Sequence, residues 1–255
     1  MIIAFVPVRL RSSRLPNKAI QKIYGISAIE RCLINTMSIP GIDKVVLATS
    51  ANKEDDKLID YNLSGRIEVV RGSEEDVLER FMPVIHRDKP DHIIRVTGDC
   101  PLVSAELGEI TIKKHLYGNQ DATFTLSKVA LGTACEIYKA EAVLKLKNLL
   151  STTNHSEYLI YYFLNNPTIF SLNTFIAPKI FIKPWRLTLD ETNDLELLNL
   201  IYKTLDIGER PVSFSEVIDF FEKYPEASSI NVNNVVKYRD NKDLVTYLKR
   251  VTTLT

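Results

Sequence analysis

The sequence predicts an α/β fold: a doubly wound, mostly parallel sheet with helices on both faces. Three observations predict it. Apolar runs alternate with stretches of helical spacing through the first half of the chain. The first run, Ile2–Val8, is continuous, as in a strand covered on both faces. The chain has 255 residues and is 45% hydrophobic, enough for one large core.

Each element follows in order. Ile2–Val8 is the first strand. Ser27–Ser38 carries Ile29, Cys32, Leu33, Thr36 and Met37 at helical spacing, and Pro40-Gly41 ends it. Lys44–Thr49 is a second strand, Glu54–Asn62 a short helix stopped by Gly65, and Ile67–Arg71 a third strand. Ser73-Glu-Glu-Asp76 resembles a helix start, with a capping serine and acids in the first turn; the helix runs toward Asp88. Asp91–Thr97 is a fourth strand, and Ser104 caps a helix through Tyr117. Strand–helix alternation at this spacing builds parallel βαβ units.

The second half is less regular. Asp121–Thr125, Ala134–Lys139 and Thr168–Ile176 read as strands; Ala140–Leu150 and Ser156–Asn165 read as helices. Arg186–Leu189 is a short strand leading into a helix that ends at Leu205. Ser213-Phe-Ser-Glu216 is a capping-box pattern opening a helix to Tyr224, and a last helix covers Asn241–Val251. There is no internal repeat, so residues 1–255 read as a single domain with an excursion at about 125–185.

The charges balance, 32 Lys+Arg against 32 Asp+Glu. That excludes a general nucleic-acid or anionic-membrane binder, which needs surplus positive charge. No apolar run approaches the roughly 20 residues of a membrane helix, and the apolar start lacks the basic flank of a signal peptide. The expected location is the cytoplasm. Cys32, Cys100 and Cys135 lie far apart without a C-x-x-C pair and read as small buried hydrophobes.

The neutral average hides an asymmetry. Arg9, Arg11, Arg14, Lys18 and Lys22 all precede the first acid, Glu30. The stretch from Pro7 to Lys18 directly follows the first strand, where ligands bind in doubly wound sheets. Its four cations repel one another unless an anion joins them. Arginine forks suit phosphate, lysine acts as a point charge, and Ser12 and Ser13 add hydroxyl donors. An exposed, solvated basic loop is the bland alternative.

Three further stretches lie at strand ends. In Thr97-Gly98-Asp99-Cys100-Pro101-Leu102, the glycine admits close backbone approach and Asp99 projects into the same crevice, as a Mg²⁺ ligand would. The alternative is a turn that Asp99 caps. In Arg186-Leu-Thr-Leu-Asp190-Glu-Thr-Asn-Asp194, Asp190 ends a strand and supplies a second carboxylate for the metal. Asp194, one turn on, is read as complementing a helix dipole. Arg71–Phe81 places Gly72, Ser73 and a helix start near the crevice; taken alone, an ordinary helix start accounts for it.

Taken together, these stretches resemble the CMP-sugar synthetase group of cytidylyltransferases. The loop R-x-x-S-x-R-L-P-x-K matches at Arg9, Ser12, Arg14, Leu15, Pro16 and Lys18; G-D-x-P-L matches at 98–102; D-x-x-x-D-L-E matches at Asp190, Asp194, Leu195 and Glu196. RGSEEDVLERF and RVTGDCPLV look most like the spore-coat polysaccharide branch of SpsF type. The resemblance covers about residues 1–205 and implies a nucleotide-diphospho-sugar transferase-like, Rossmann-like domain with a small dimerisation element, hence a homodimer.

It also implies a reaction: CTP joins a sugar acid to give a CMP-sugar and pyrophosphate, with Mg²⁺. Arg9, Arg14 and Lys18 would hold the triphosphate and stabilise the departing pyrophosphate. Asp99 and Asp190 would bind the metal. Thr49, Ser50 and Ser73 lie where the group places nucleotide contacts. The branch often carries R-E-H-V-T-P-Y; here the segment is Ser156-Glu157-Tyr158-Leu-Ile160-Tyr161-Tyr162. Glu157 and a tyrosine remain, and Glu157 and Tyr161 are the substrate-binding candidates. Two other functions share the nucleotide-binding half. A metal-dependent glycosyltransferase needs a D-x-D-like motif, and 97–102 holds a single acid. A catalytically silent nucleotide binder would have a damaged arginine loop or missing acids, and both are intact.

Overall fold

The computed structural model describes residues 1–12, 14–150, 153, 155–235 and 241–254. Its sheet has seven strands: β1 (Ile2–Pro7), β4 (Lys44–Ser50), β5 (Glu68–Gly72), β6 (His92–Arg95), β7 (Ala122–Thr125), β8 (Glu136–Lys139) and β9 (Leu172–Phe175). β2 (Lys22–Ile23) and β3 (Ile26–Ser27) form a separate hairpin. The sheet order is β5-β4-β1-β6-β8-β7-β9. All contacts are parallel except those of β8, which runs antiparallel between β6 and β7. The doubly wound, mostly parallel α/β fold read from the sequence is therefore the fold observed.

β1 alternates its side chains between two cores. Ile2, Ala4 and Val6 pack with Cys32 and Leu33 of α1 (Ala28–Met37) and Ile112 of α3 (Ala105–Gly118). Ile3 and Phe5 face α2 (Val77–Asp88), α4 (Ala140–Leu149) and α5 (Leu159–Leu164). Phe5 stacks on Phe81 with ring centres 4.3 Å apart. Burying such a side chain contributes about 1.5–3 kcal/mol. This two-sided cover is why the first strand is continuously apolar. A third cluster joins α6 (Thr192–Thr204) and α7 (Phe214–Lys223). α8 (Lys242–Thr252) lies against α5, where Asn165 donates to Thr252 Oγ1 at 2.7 Å. The three cysteines are buried and free, as expected.

Local chemistry sets the boundaries. Ser27 and Glu30 form a capping box at the start of α1, and Ser213 and Glu216 form another at α7. Ser104 caps α3. Tyr24 and Gly25, both at positive φ, turn the unpredicted β2–β3 hairpin.

Three elements differ from the reading of the sequence. α2 starts at Val77 under an Asp76 cap, and Ser73 instead accepts the Asp76 N–H at 3.1 Å. The helix read at 54–62 is a 3₁₀ helix, Lys53–Asp60, whose Asp55 turns inward to accept from Leu10 N–H and Ser50 Oγ. Arg186–Leu189 makes one bridge, Leu131 with Arg186, because the opposing segment turns at Gly132 (φ 92). A Cβ there would stand 2.8 Å from the Leu187 carbonyl carbon.

Parallel strands gather their following loops at one end of the sheet. The loops after β1, β4, β5 and β6 meet there. The 186–190 segment joins them, because Leu189 N–H donates to the Asp99 carbonyl at 2.8 Å and Leu187 N–H to Leu131 at 2.8 Å.

Candidate active site

Gly98 sets how close the first two loops come. Its N–H donates to the Pro7 carbonyl at 3.1 Å, and a Cβ would stand 2.8 Å from Val8 Cβ. No larger residue fits between the arginine loop and Asp99. Asp99 and Lys18 then meet: Nζ lies 2.7 Å from Asp99 Oδ2 and 2.7 Å from Asp190 Oδ1. Arg14 reaches the same Asp190 oxygen at 2.7 Å and Glu191 at 3.8 Å. Burial by itself would lower the Lys18 ammonium, but Asp99 and Asp190 outweigh it and hold it above its ordinary range. Burial would raise the Asp99 carboxyl, yet Lys18 keeps it below the ordinary carboxylate range.

Asp190 is held from behind. Arg186 donates to its Oδ2 at 2.9 Å and to Asp194 at 2.8 and 3.1 Å. Asp194 has no exposed surface. It accepts from the Asp190 and Glu191 N–H groups at 2.9 and 3.0 Å, and from Asn231 and Asn234 at 2.8 and 2.9 Å. Burial pushes its carboxyl up, and Arg186 pulls it further down, so it stays ionised. The first-turn role read for Asp194 is the structural one it has, with a buried ion pair added.

The other end of the arginine loop is looser. Arg9 lies 3.5 Å from Glu157, 3.6 Å from Glu75 and 3.3 Å from the Glu74 carbonyl. Arg11 is 3.5 Å from Glu74. Glu157 is carried by a segment fixed on both sides. Ser156 Oγ accepts the Val77 N–H at 2.7 Å, and Arg95 donates to the Glu157 carbonyl. Tyr161 is half-buried, 6.4 Å from the Tyr158 ring.

Thr49 and Ser50 end β4 and are fully buried. The Thr49 hydroxyl is the buried one at this end with no partner among the described residues. Ser50 Oγ is committed to Asp55, and Ser73 Oγ to the Asp76 N–H. Ser12 is half-buried at the rim; Ser13 lies outside the described residues.

Several working residues were missed by sequence reasoning. Arg186 was quoted without a role, although its spacing from Asp190 and Asp194 was a signal. Arg80 donates to the Ser73 and Glu74 carbonyls at 2.7 and 2.6 Å and fixes the turn beside Arg9. Its signal was an arginine on the apolar face of α2. Asn231 and Asn234 carried none.

The cytidylyltransferase family model matches residues 3–207. The chain is 32% identical over 236 residues to the spore coat polysaccharide biosynthesis protein SpsF of Bacillus subtilis, covering 89% of this chain and 97% of that one. The chain belongs to the cytidylyltransferase family. Within that family it sits in the CMP-sugar synthetase group, in the SpsF-like branch. The fold agrees. A cytidylyltransferase structure from Leptospira borgpetersenii superposes with a TM-score of 0.78 at 23% identity, covering 92% of this chain and 97% of the other. A CMP:2-keto-3-deoxy-manno-octonic acid synthetase complexed with CTP superposes at 0.61 and 17% identity, covering 80% and 98%.

For this cytidylyltransferase the donor set can be weighed against the Mg²⁺ that the resemblance implies. Two carboxylate oxygens, from Asp99 and Asp190, converge on one point between them. Mg²⁺ takes one or two protein carboxylates and completes its shell with phosphate and water. The residues fit that pattern. Among the described residues no three His, Cys, Asp or Glu cluster as a metal cage. A site built here would be completed by ligand oxygens.

Proposed function

We propose that this cytidylyltransferase couples CTP to a 2-keto-3-deoxy sugar acid, giving a CMP-sugar and pyrophosphate for surface polysaccharide synthesis. The observation that carries the reading is the meeting of Arg14 and Lys18 with Asp99 and Asp190 at the carboxyl ends of the parallel strands. The similarity to SpsF and to the octonic acid synthetase complexed with CTP supports the substrate pair.

In this reaction a sugar hydroxyl attacks the α-phosphorus of CTP and the bond to the β-phosphate breaks, releasing pyrophosphate. The chain's work is positioning and charge neutralisation. Arg9, Arg14 and Lys18 bind the triphosphate and stabilise the departing pyrophosphate. Ser12 lies at the rim of the nucleotide site, and Thr49, Ser50 and Ser73 shape its wall from beneath, Ser50 through Asp55 and Ser73 through the Asp76 N–H. Glu157 and Tyr161 face the acceptor. Mg²⁺, held by Asp99 and Asp190, supplies Lewis-acid neutralisation of phosphate charge when bound.

The test is pyrophosphate release with CTP, Mg²⁺ and a panel of octulosonic and nonulosonic acids. Release with one acid, and a CMP conjugate by mass spectrometry, is the expected result. No release with any of them overturns the acceptor class. We further assign the chain to a cytoplasmic homodimer joined through the region at about 125–185. In support, Leu126 and Ile176, which directly follow β7 and β9, are 65% and 82% exposed, and no helix among the described residues is long and apolar enough to cross a membrane. Sedimentation equilibrium giving a monomer mass would remove the dimer.

A further inference from the structure

The Lys18 ammonium occupies the point on which the two carboxylates converge, 2.7 Å from Asp99 Oδ2 and 2.7 Å from Asp190 Oδ1. A divalent cation held by those oxygens would need the same place. Both cations cannot sit there, because like charges at contact distance repel strongly in a half-buried crevice.

The surroundings fix the carboxylates more firmly than the lysine. Arg186 holds the second oxygen of Asp190 at 2.9 Å. Thr188 Oγ1 and Leu189 N–H both bond the Asp99 carbonyl, at 3.0 and 2.8 Å, tying the two acid-bearing segments together. Lys18 Nζ, in contrast, bonds these two acids alone among the described residues. It is a point charge on a flexible four-carbon stem, and a short shift frees Asp99 Oδ2 and leaves Arg14 as the one remaining cation on Asp190 Oδ1 among the described residues. The basic loop around it gives an arriving anion further partners in Arg14 and Arg9.

We infer that Lys18 is the resident counter-ion of the Asp99–Asp190 pair, and that it yields this place to a divalent cation when nucleotide phosphates draw it away. Metal and nucleotide then bind as a coupled pair, each raising the affinity for the other. The inference rests on the nucleotide reading above.

The experiment titrates Mn²⁺ onto the full chain without nucleotide, counting free Mn²⁺ by electron paramagnetic resonance. Lys18→Met and Lys18→Gln are measured in parallel, with circular dichroism to confirm folding. Each is expected to bind Mn²⁺ at least tenfold more tightly than the wild type. The gain disappears when Asp99→Asn is added, and Lys18→Arg, which keeps the charge, stays near the wild type. Folded Met and Gln variants with unchanged affinity overturn the inference, as does an Arg variant that gains as much as they do. Labelled-CTP binding to the wild type in Mg²⁺ is measured alongside. If CTP binds while the variants gain nothing, only the counter-ion role falls; if CTP does not bind, both readings fall.

Discussion

The two ends of β6 treat charge in opposite ways. Beyond its carboxyl end, Asp99 pairs with Lys18, and Asp190 and Asp194 pair with Arg186. At its amino end, His92 Nδ1 meets His115 Nε2 at 3.1 Å, and His115 Nδ1 meets Thr123 Oγ1 at 2.9 Å. Burial pushes the His115 imidazole down to about 4, with the neighbouring His92 adding to the effect. The crevice end thus holds its buried charges in pairs, whereas at the amino end the buried histidines are kept neutral and the ion pairs, Met1 with Asp91 and Lys44 with Glu68 and Asp88, lie nearer the surface. Burying charge is costly unless an opposite charge is supplied. At the crevice it is supplied where a charged ligand is proposed to bind, and buried Asp76 is matched in the same way by Lys147.

The largest effect should come from breaking the scaffold of the charged end. Asp194→Ala leaves Arg186 buried without its main partner and should cost roughly 3–5 kcal/mol of stability, read by urea unfolding. A loss below about 1 kcal/mol would mean that the pair is not structural. Asp99→Asn keeps the shape and removes one charge. It should leave the fold intact and lower turnover roughly 10²- to 10³-fold; turnover near the wild-type value would remove Asp99 from the site.

The histidine end has its own signature in acid. The folded state lowers His115 from 6.5 to about 4, so its contribution is complete above about pH 6.5 and is lost as the pH falls toward 4. That loss amounts to roughly 3 kcal/mol. The His115→Gln variant, followed by urea unfolding at pH 7 and pH 4.5, should fall less than the wild type over this range. Equal falls would place acid sensitivity elsewhere. The smallest effect belongs to the loose end of the arginine loop. Arg9→Ala should raise the KM for CTP about tenfold, the worth of one charge-assisted hydrogen bond, with the fold unchanged.

What was legible follows from what is local. Arg14, Lys18 and Asp99 lie just after apolar strands, so their place at the sheet end could be read from order alone. Asp190 could be placed beside them, although the bridge that delivers it is not the strand expected. Ser73 misled because Asp76, three residues on, competes for the same capping role and wins by its bonds to Lys147 and Ser156. The reversal of β8 left no trace, since alternation of side chains is the same in either direction. Asn231 and Asn234 reach Asp194 from 37 and 40 residues away, a contact that only tertiary packing creates.

The strand order also sets a timetable. During synthesis β7 is made before β8, yet β8 must lie between β7 and β6. The open edge of β6 therefore waits until residue 139 has been added. Asp190 comes later still, so a growing chain carries a finished arginine loop and Asp99 with the second acid missing. Domains fold as the chain emerges, amino end first. On that schedule the nascent protein has the cations of its crevice long before it has both of the carboxylates that balance them.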